Sequence, residues 1–568
     1  MGLWAPFLAA AWLLPNHYYP WATFHSDAWL AVAMVLAAGA VIFRSPPSVS
    51  WHGLTIVIAG LAMVPMLQWA AGMLPFSGQA WLYSAYVLGL LLALLIGANW
   101  ETATPGRAAD GLFLAIGIAA LASVGMQLRQ WLGIGADAGE LQVWAEEFTP
   151  GRPSANLGQP NQLATLLLWA LLGCAWSVVR LRSRSGYATI AALLIVFGLA
   201  LTQSRAGAIG LLAIMIGAWA WRRLLPPRSP QVATLLFIFF IVCTVSMQTL
   251  SDLLGLDLQI RTATLGGASS QLRLKAYALF FDAVAQKPIW GYGWDQLAVA
   301  QLSVAQKHGT LTAFFLHSHN LFLDLILWCG VPIGGFVSIY LAVWLVRAMR
   351  KVSSAEDALL VLFLVVVGLH AMVELPLHHA YFLLPTGLVM GILGQSQNRR
   401  VIWTSTRWGV LALWLALCLL LGVIVRDYLR IDESFRRYKL DAAHIGNLPP
   451  GVAPDVLLLD HMRAFIVNAR SSVGPDFKAA DLDRLRGLTT SFPTPANLLN
   501  YAKALAFLNR PEEARDWIIK IQRVQPAEFN PDLRRIWAEQ AKLYPALAAV
   551  SWPDFDLTQP APSAALKR

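Results

Sequence analysis

Arg205 closes the run Thr202-Gln-Ser-Arg205, Arg273 follows Ser269-Ser-Gln-Leu272, and His319 lies in His317-Ser-His-Asn320. These residue types suit the handling of a diphosphate. Arginine stays charged at any working pH, and its planar fork donates two parallel hydrogen bonds to phosphate oxygens. Two such groups would hold a diphosphate and stabilise the charge it gains as a leaving group. A neutral histidine near pH 7 takes a proton from an attacking hydroxyl. Plainer roles stay open: Arg205 as a side chain snorkelling to headgroups, and His319 as a capping or packing residue. Glu374, in Val373-Glu-Leu-Pro-Leu-His-His379, would orient a base or pair with Arg205 or Arg273, or simply stabilise a helix end. His317, His319, His378 and His379 invite a metal reading. Few carboxylates besides Glu374 and Asp295 accompany them, so no metal is expected. The glycines of Leu265-Gly-Gly267 and Gly291-Tyr-Gly293 lack the lysine spacing of a phosphate loop, so no nucleotide cofactor is expected either. Tyr292 and Trp294, with Trp290, offer rings that could stack on sugars.

The elements that must carry these residues are membrane helices. Of 568 residues 57% are hydrophobic and only 13% charged, against about 25% charged in soluble domains. The charges are unevenly spread: residues 1–425 carry 22 Lys+Arg and 15 Asp+Glu, and the much shorter 426–568 carries 20 and 17. A long bilayer-embedded region is therefore followed by a water-soluble domain. Thirteen apolar segments qualify as spans, near 3–14 (short), 28–43, 53–74, 81–98, 111–132, 162–179, 187–201, 206–221, 232–250, 321–346, 358–373, 381–393 and 408–425. The expected fold is all-α, a polytopic bundle of about 12–13 transmembrane helices.

Alternate loops hold fourteen basic residues, from Arg44 through Arg180, Arg222, Arg347 and Arg399 to Arg407, and the opposite short loops hold two, Arg152 and Arg205. Lysine and arginine mark the cytoplasmic side, which puts the N-terminus inside and the tail outside. The net charge of +10 thus reports topology and not a nucleic-acid footprint. Two outer segments are long. One, 134–160, carries Asp137, Glu140, Glu146 and Glu147 before Gly151-Arg-Pro-Ser-Ala-Asn-Leu-Gly-Gln-Pro-Asn161. The other, 251–320, carries Arg273, Gly291-Tyr-Gly-Trp-Asp295 and the histidine run. Loops of this length inside a compact protein are usually functional, so chemistry is expected on the non-cytoplasmic face. In the tail, Leu498, Tyr501, Leu505 and Leu508 follow helical spacing, Pro511 suits a first turn, and Trp517, Ile518 and Ile521 continue the pattern. Residues 496–525 read as one hairpin of tetratricopeptide type, either a protein-binding unit or plain structural helices.

These motifs, in this order, resemble a known family. Thr202-Gln-Ser-Arg205, the 270–293 run with Arg273 and Pro288-Ile-Trp-Gly-Tyr-Gly293, and His317-Ser-His-Asn-Leu-Phe-Leu-Asp324 followed by Gly330 resemble the superfamily of O-antigen ligases, O-antigen polymerases and bacterial protein O-oligosaccharyltransferases. The resemblance covers about residues 140–395. Asn156-Leu-Gly-Gln-Pro-Asn-Gln-Leu-Ala164, Glu374-Leu-Pro-Leu377 and the soluble tail look most like the pilin-glycosylating branch. The resemblance implies transfer of a preassembled glycan from undecaprenyl diphosphate to serine or threonine hydroxyls of a pilin-like protein. It places the reaction at the periplasmic face of a Gram-negative inner membrane, without metal or nucleotide. It also implies His319 as the base, Arg205 and Arg273 on the diphosphate, and Gln159, Asn161 and Glu374 shaping the acceptor or donor site. His317 and Asn320 support His319, and the tail helps present the acceptor. Transfer to lipid A-core or to a growing O-antigen would use the same donor. A transporter of lipid-linked sugars would instead show charged or broken helices at mid-membrane, whereas here the charges lie at outer helix ends.

Overall fold

The computed structural model describes residues 3–15, 17–44, 48–134, 152–183, 185–256, 268–311, 313–397, 400–446 and 452–554. The chain is an all-α polytopic membrane protein. Among the described residues, eight helices are long and apolar enough to cross a membrane. They are Phe24–Ile42, Gly53–Ala70, Ser77–Ala103, Arg107–Trp131, Pro160–Val179, Ser229–Leu253, Leu321–Arg350 and Arg407–Ala442. Ser185–Leu201, Arg205–Ala220 and Ala380–Ser396 are shorter apolar helices, and Ala355–Ala371 is another. Every expected segment but the first is thus a helix. The first folds as Trp4–Ala9 followed by a single 3-10 turn, Ala10–Trp12, which corrects its reading as a span. Six residues rise only about 9 Å, far short of a bilayer. The one sheet among the described residues pairs Ser48–His52 with Val401–Thr406, antiparallel.

The chain divides into two compact units. The first comprises Met1–Leu61, Ala85–Thr262 and Tyr340–Leu421. Its helices pack through small residues, as expected where lipid offers no hydrophobic drive between helices. A Cβ on Gly391 would meet Leu94 O at 2.2 Å, and one on Gly97 would meet Leu388 O at 2.2 Å, so these two backbones touch only because both positions are glycine.

The second unit comprises Ala62–Ser84, Ala263–Ile339 and Gly422–Arg568. The segment expected as a long outer loop carries two helices, Ala268–Gln286 and Leu297–Val304, although 257–267 lies outside the described residues, as do Asp137, Glu140, Glu146 and Glu147 of the other outer segment. The helix begun at Leu321 is interrupted by a π turn at Val331–Gly335, and the cause is chemical. Pro332 has no N–H to bond the Trp328 carbonyl. That oxygen instead accepts from Gly293 N at 3.1 Å and from Gln68 Nε2 at 2.8 Å. Tyr292 N donates to Leu327 O and Val331 N to Pro288 O, so the 288–293 segment of the glycine motif is fastened onto the broken helix. Gly330, at φ +77°, sits where a Cβ would lie 2.0 Å from Ile289 O. Gly330→Ala is therefore expected to lower the thermal midpoint sharply, by more than the about 1 kcal/mol of an unstrained helix change, and a midpoint like that of the parent would refute this role.

In the tail, Pro495–Phe507 and Pro511–Val524 form the expected helix pair, with Tyr501 edge-on to Trp517 at 4.6 Å. Thr494 caps the first helix by accepting from Asn497 N, and Pro495 occupies its first turn. Leu498, Leu505, Ile518 and Ile521 are fully or almost fully buried between them.

Candidate active site

Within the first unit, three motif residues meet. Gln159 caps the helix Pro160–Val179, its side chain accepting from Gln162 N at 2.7 Å. This fixes Asn161 in the first turn. Asn161 Oδ1 accepts from Ser204 Oγ at 2.7 Å and from Arg152 Nη2 at 3.3 Å, and Asn161 Nδ2 donates to Glu374 Oε1 at 3.3 Å. Arg152 Nε also donates to Thr202 O at 2.6 Å. Ser204 caps the next helix, accepting from Gly207 N at 3.0 Å, after Gln203 has turned the chain at φ +48°. Thr202 and Ser204 are consequently buried, and Arg205 emerges exposed at the first position of its helix. A cation at a helix N-terminus works against the macrodipole, so Arg205 does not serve the stability of its own helix. Its charge adds to the positive end of the helix dipole, and both favour an anion.

Histidines crowd the same unit. His378 and His379 flank a short turn after Glu374. Burial pushes His378 down to about 4. Burial pushes His379 down to about 3, with His378, His17 and His370 adding to the effect. Both are neutral at physiological pH and supply no charge to a phosphate. His370 Nδ1 pairs with Thr165 Oγ1 at 2.7 Å, and the Tyr381 hydroxyl donates to Gln162 Oε1 at 2.7 Å.

The second unit holds Arg273, His317, His319 and Asn320. Asn320 caps the helix that follows, its Oδ1 accepting from Phe322 N and Leu323 N, both at 3.1 Å. Ser318 N donates to Asp324 Oδ1 at 2.9 Å, and Ser318 Oγ donates to Asn320 O at 3.1 Å. His319 is held between these two anchors at φ +59°, a left-handed conformation that few side chains adopt. Its ring stands edge-on to Phe315 at 6.2 Å. Asp324, fully buried, interacts electrostatically with His319. Tyr277, one turn beyond Arg273, feels both Arg273 and Asp324, which ties the arginine to this neighbourhood. His317 Nδ1 lies 3.8 Å from Asp295 Oδ1, and Asp295 Oδ2 accepts from the Tyr83 hydroxyl at 2.8 Å. Burial pushes the Asp295 carboxyl up to about 7, Tyr83 opposing and Asp324 reinforcing the rise.

Two expected site residues turn out otherwise placed. Tyr292 is buried, its hydroxyl donating to Ala283 O at 3.0 Å, and Trp294 is buried against Trp328 with ring centroids 5.1 Å apart. Their faces are covered by protein, so they support the glycine turn and offer no platform for a sugar. Trp290, 70% exposed, is the aromatic of that segment left facing outward. The residues not singled out from sequence are Arg152, Ser204, Asp324, Tyr83 and Tyr277. Asp324 had a signal, its place four residues after the Asn320 cap. Tyr277 had one too, four residues after Arg273, and Ser204 lies inside the Thr202–Arg205 motif; Arg152 and Tyr83 join through contacts between distant segments that no spacing announces.

The class of the protein, a membrane-embedded glycosyltransferase, follows from its polytopic bundle together with its likeness to known proteins. The chain matches the O-antigen ligase family over residues 190–337, the protein glycosylation ligase family over 153–176, and the C-terminal part of the virulence factor membrane-bound polymerase family over 358–531. Over 551 residues it is 30% identical to the general O-oligosaccharyltransferase of Acinetobacter baylyi, with 93% of each chain covered. It is 29% identical over 301 residues to the ComP-specific O-oligosaccharyltransferase of the same organism, covering 52% of this chain and 54% of that one. The chain belongs to the O-oligosaccharyltransferase family.

Proposed function

We propose that this enzyme moves a preassembled oligosaccharide from undecaprenyl diphosphate to serine or threonine hydroxyls of a pilin-like protein. The acceptor oxygen attacks the anomeric carbon, the bond from that carbon to the diphosphate oxygen breaks, and the hydroxyl proton passes to His319. The diphosphate leaves as an anion whose charge is taken up by Arg205 and Arg273. Glu374, Asn161 and Gln159 shape the acceptor or donor site, and His317 and Asn320 support His319. The observation that carries the reading is the local fixing of His319 at positive φ between the Asn320 cap and the Ser318–Asp324 bond. Strain of this kind, on the order of 1–3 kcal/mol, is found where geometry serves function.

The protein is assigned to the inner membrane, with residues 1–425 forming the membrane part, its O-antigen ligase-like core at 140–395, and 426–568 lying in the periplasm. Fourteen basic residues on one set of loops against two on the other support that orientation. A reporter fused after Arg568 is expected to be active only if it functions in the periplasm, and a cytoplasmic signal would reverse the topology.

The activity itself is tested by intact-mass analysis of pilin from cells that make a lipid-linked oligosaccharide, with and without this chain. A glycan-sized mass increase that needs the chain is the expected result. An unmodified pilin together with newly capped lipopolysaccharide would replace the acceptor by lipid A-core, in keeping with the match to O-antigen ligases.

A further inference from the structure

The segment that delivers His319 is not held by membrane helices alone. It leaves the helix Leu297–Val304, passes His308, Thr310 and Phe315, and ends at the Asn320 cap. Along it, Gln301 Nε2 donates to Ala313 O at 3.0 Å and Phe315 N donates to Gln301 Oε1 at 2.9 Å. His308 Nε2 also pairs with Asp282 Oδ2 at 2.8 Å, and further attachments come from the tail, more than 190 residues later in sequence. Arg523, 2% exposed, lies at the end of the helix Pro511–Val524, and its Nη1 donates to His308 O at 2.6 Å. The Arg523 carbonyl accepts from Thr310 Oγ1 at 3.0 Å, and Gln306 Nε2 donates to Asp516 Oδ1 at 2.5 Å. Leu302 and Ala305 share one apolar core with Leu505, Ile518 and Ile521, and Phe314 packs against it. A guanidinium so deeply buried is tolerated only when hydrogen-bonded, and here the main chain next to the histidine segment takes one of its bonds.

We propose that the helix Pro511–Val524 is a brace for the 308–319 segment, with Arg523, Asp516 and Thr310 as positioning residues, so that the tail sets turnover itself and not only acceptor recognition. The part concerning turnover rests on the transferase reading of His319. The segment is clamped at His308 and Thr310 by the tail, at 313 and 315 by Gln301, and at Ser318 by Asp324. Releasing the tail leaves the segment's start less constrained, and the shift reaches His319 through the 313–318 stretch that Gln301 and Asp324 still hold. A catalytic group displaced by roughly 1 Å loses about a hundredfold in rate.

The test uses the full chain in nanodiscs with Thr310→Val, Asp516→Asn and Arg523→Gln. Hydrogen exchange of the 308–319 peptide is expected to quicken in each variant. With the pilin acceptor, kcat is expected to fall on the order of tenfold while the acceptor KM stays within about twofold. Acceptor-free hydrolysis of the lipid-linked donor, which needs no protein recognition, is expected to fall in parallel. Thr310→Val removes the hydroxyl that donates to the Arg523 carbonyl and keeps the measurement meaningful if Arg523→Gln does not fold. Unchanged exchange at 308–319 in the folded variants would overturn the brace, and so would a rise in KM with kcat and hydrolysis intact. The exchange measurement needs no activity. A parent chain without transferase activity would therefore sink the functional reading while exchange still decides the brace.

Discussion

His319→Ala is expected to reduce glycan transfer by about two to four orders of magnitude, the usual worth of a positioned general base. The substitution also disturbs the backbone, because alanine at φ +59° is strained. His319→Asn separates the two effects. Asparagine accepts the left-handed conformation readily and keeps a polar side chain, yet it does not take a proton near pH 7. If the imidazole is the base, both variants are inactive while His319→Asn melts like the parent. If His319→Asn transfers glycan at a rate within a few fold of the parent, the residue's role is conformational and the base lies elsewhere. The nearest other candidate in that unit is His317, 3.8 Å from Asp295.

Arg205→Ala and Arg273→Ala are each expected to lower turnover by about a hundredfold to a thousandfold, the loss seen when one charge-stabilising donor is taken from a transition state. The lysine variants grade the argument. Lysine keeps the charge but not the fork that bonds two phosphate oxygens at once, so Arg205→Lys and Arg273→Lys should recover only part of the lost rate. Arg205→Ala should leave folding intact, because the side chain is exposed and sits against the macrodipole of its own helix. Glycan transfer at parental rate by both alanine variants would remove the arginines from the diphosphate.

These residues differ in how far their sequence spelled out their placement. The helix starts were legible because a cap is a local device: Gln159, Ser204 and Asn320 each accept from an N–H two or three residues ahead. The buried fate of Tyr292 and Trp294 was not legible. It follows from Pro332, which frees a carbonyl some 35 residues downstream of the glycine turn for Gly293 to use. The first apolar segment misled because its composition suits a span while its helix stops after two short turns.

The amino-acid sequence by itself determined that this is a polytopic helical membrane protein, and which short motifs carry the arginines and the histidine. Apolar length and charge count are additive along a chain and need no partner to be read. Only the tertiary structure decided that Asn161 joins Ser204 to Glu374, that Asp324 lies beside His319, and that the tail grips the 308–310 segment. A helix meant for lipid is apolar on every side, so its periodicity does not say which face meets a neighbour. That choice rests on close packing between segments far apart in the chain, at glycines such as Gly97, Gly330 and Gly391 where backbones meet.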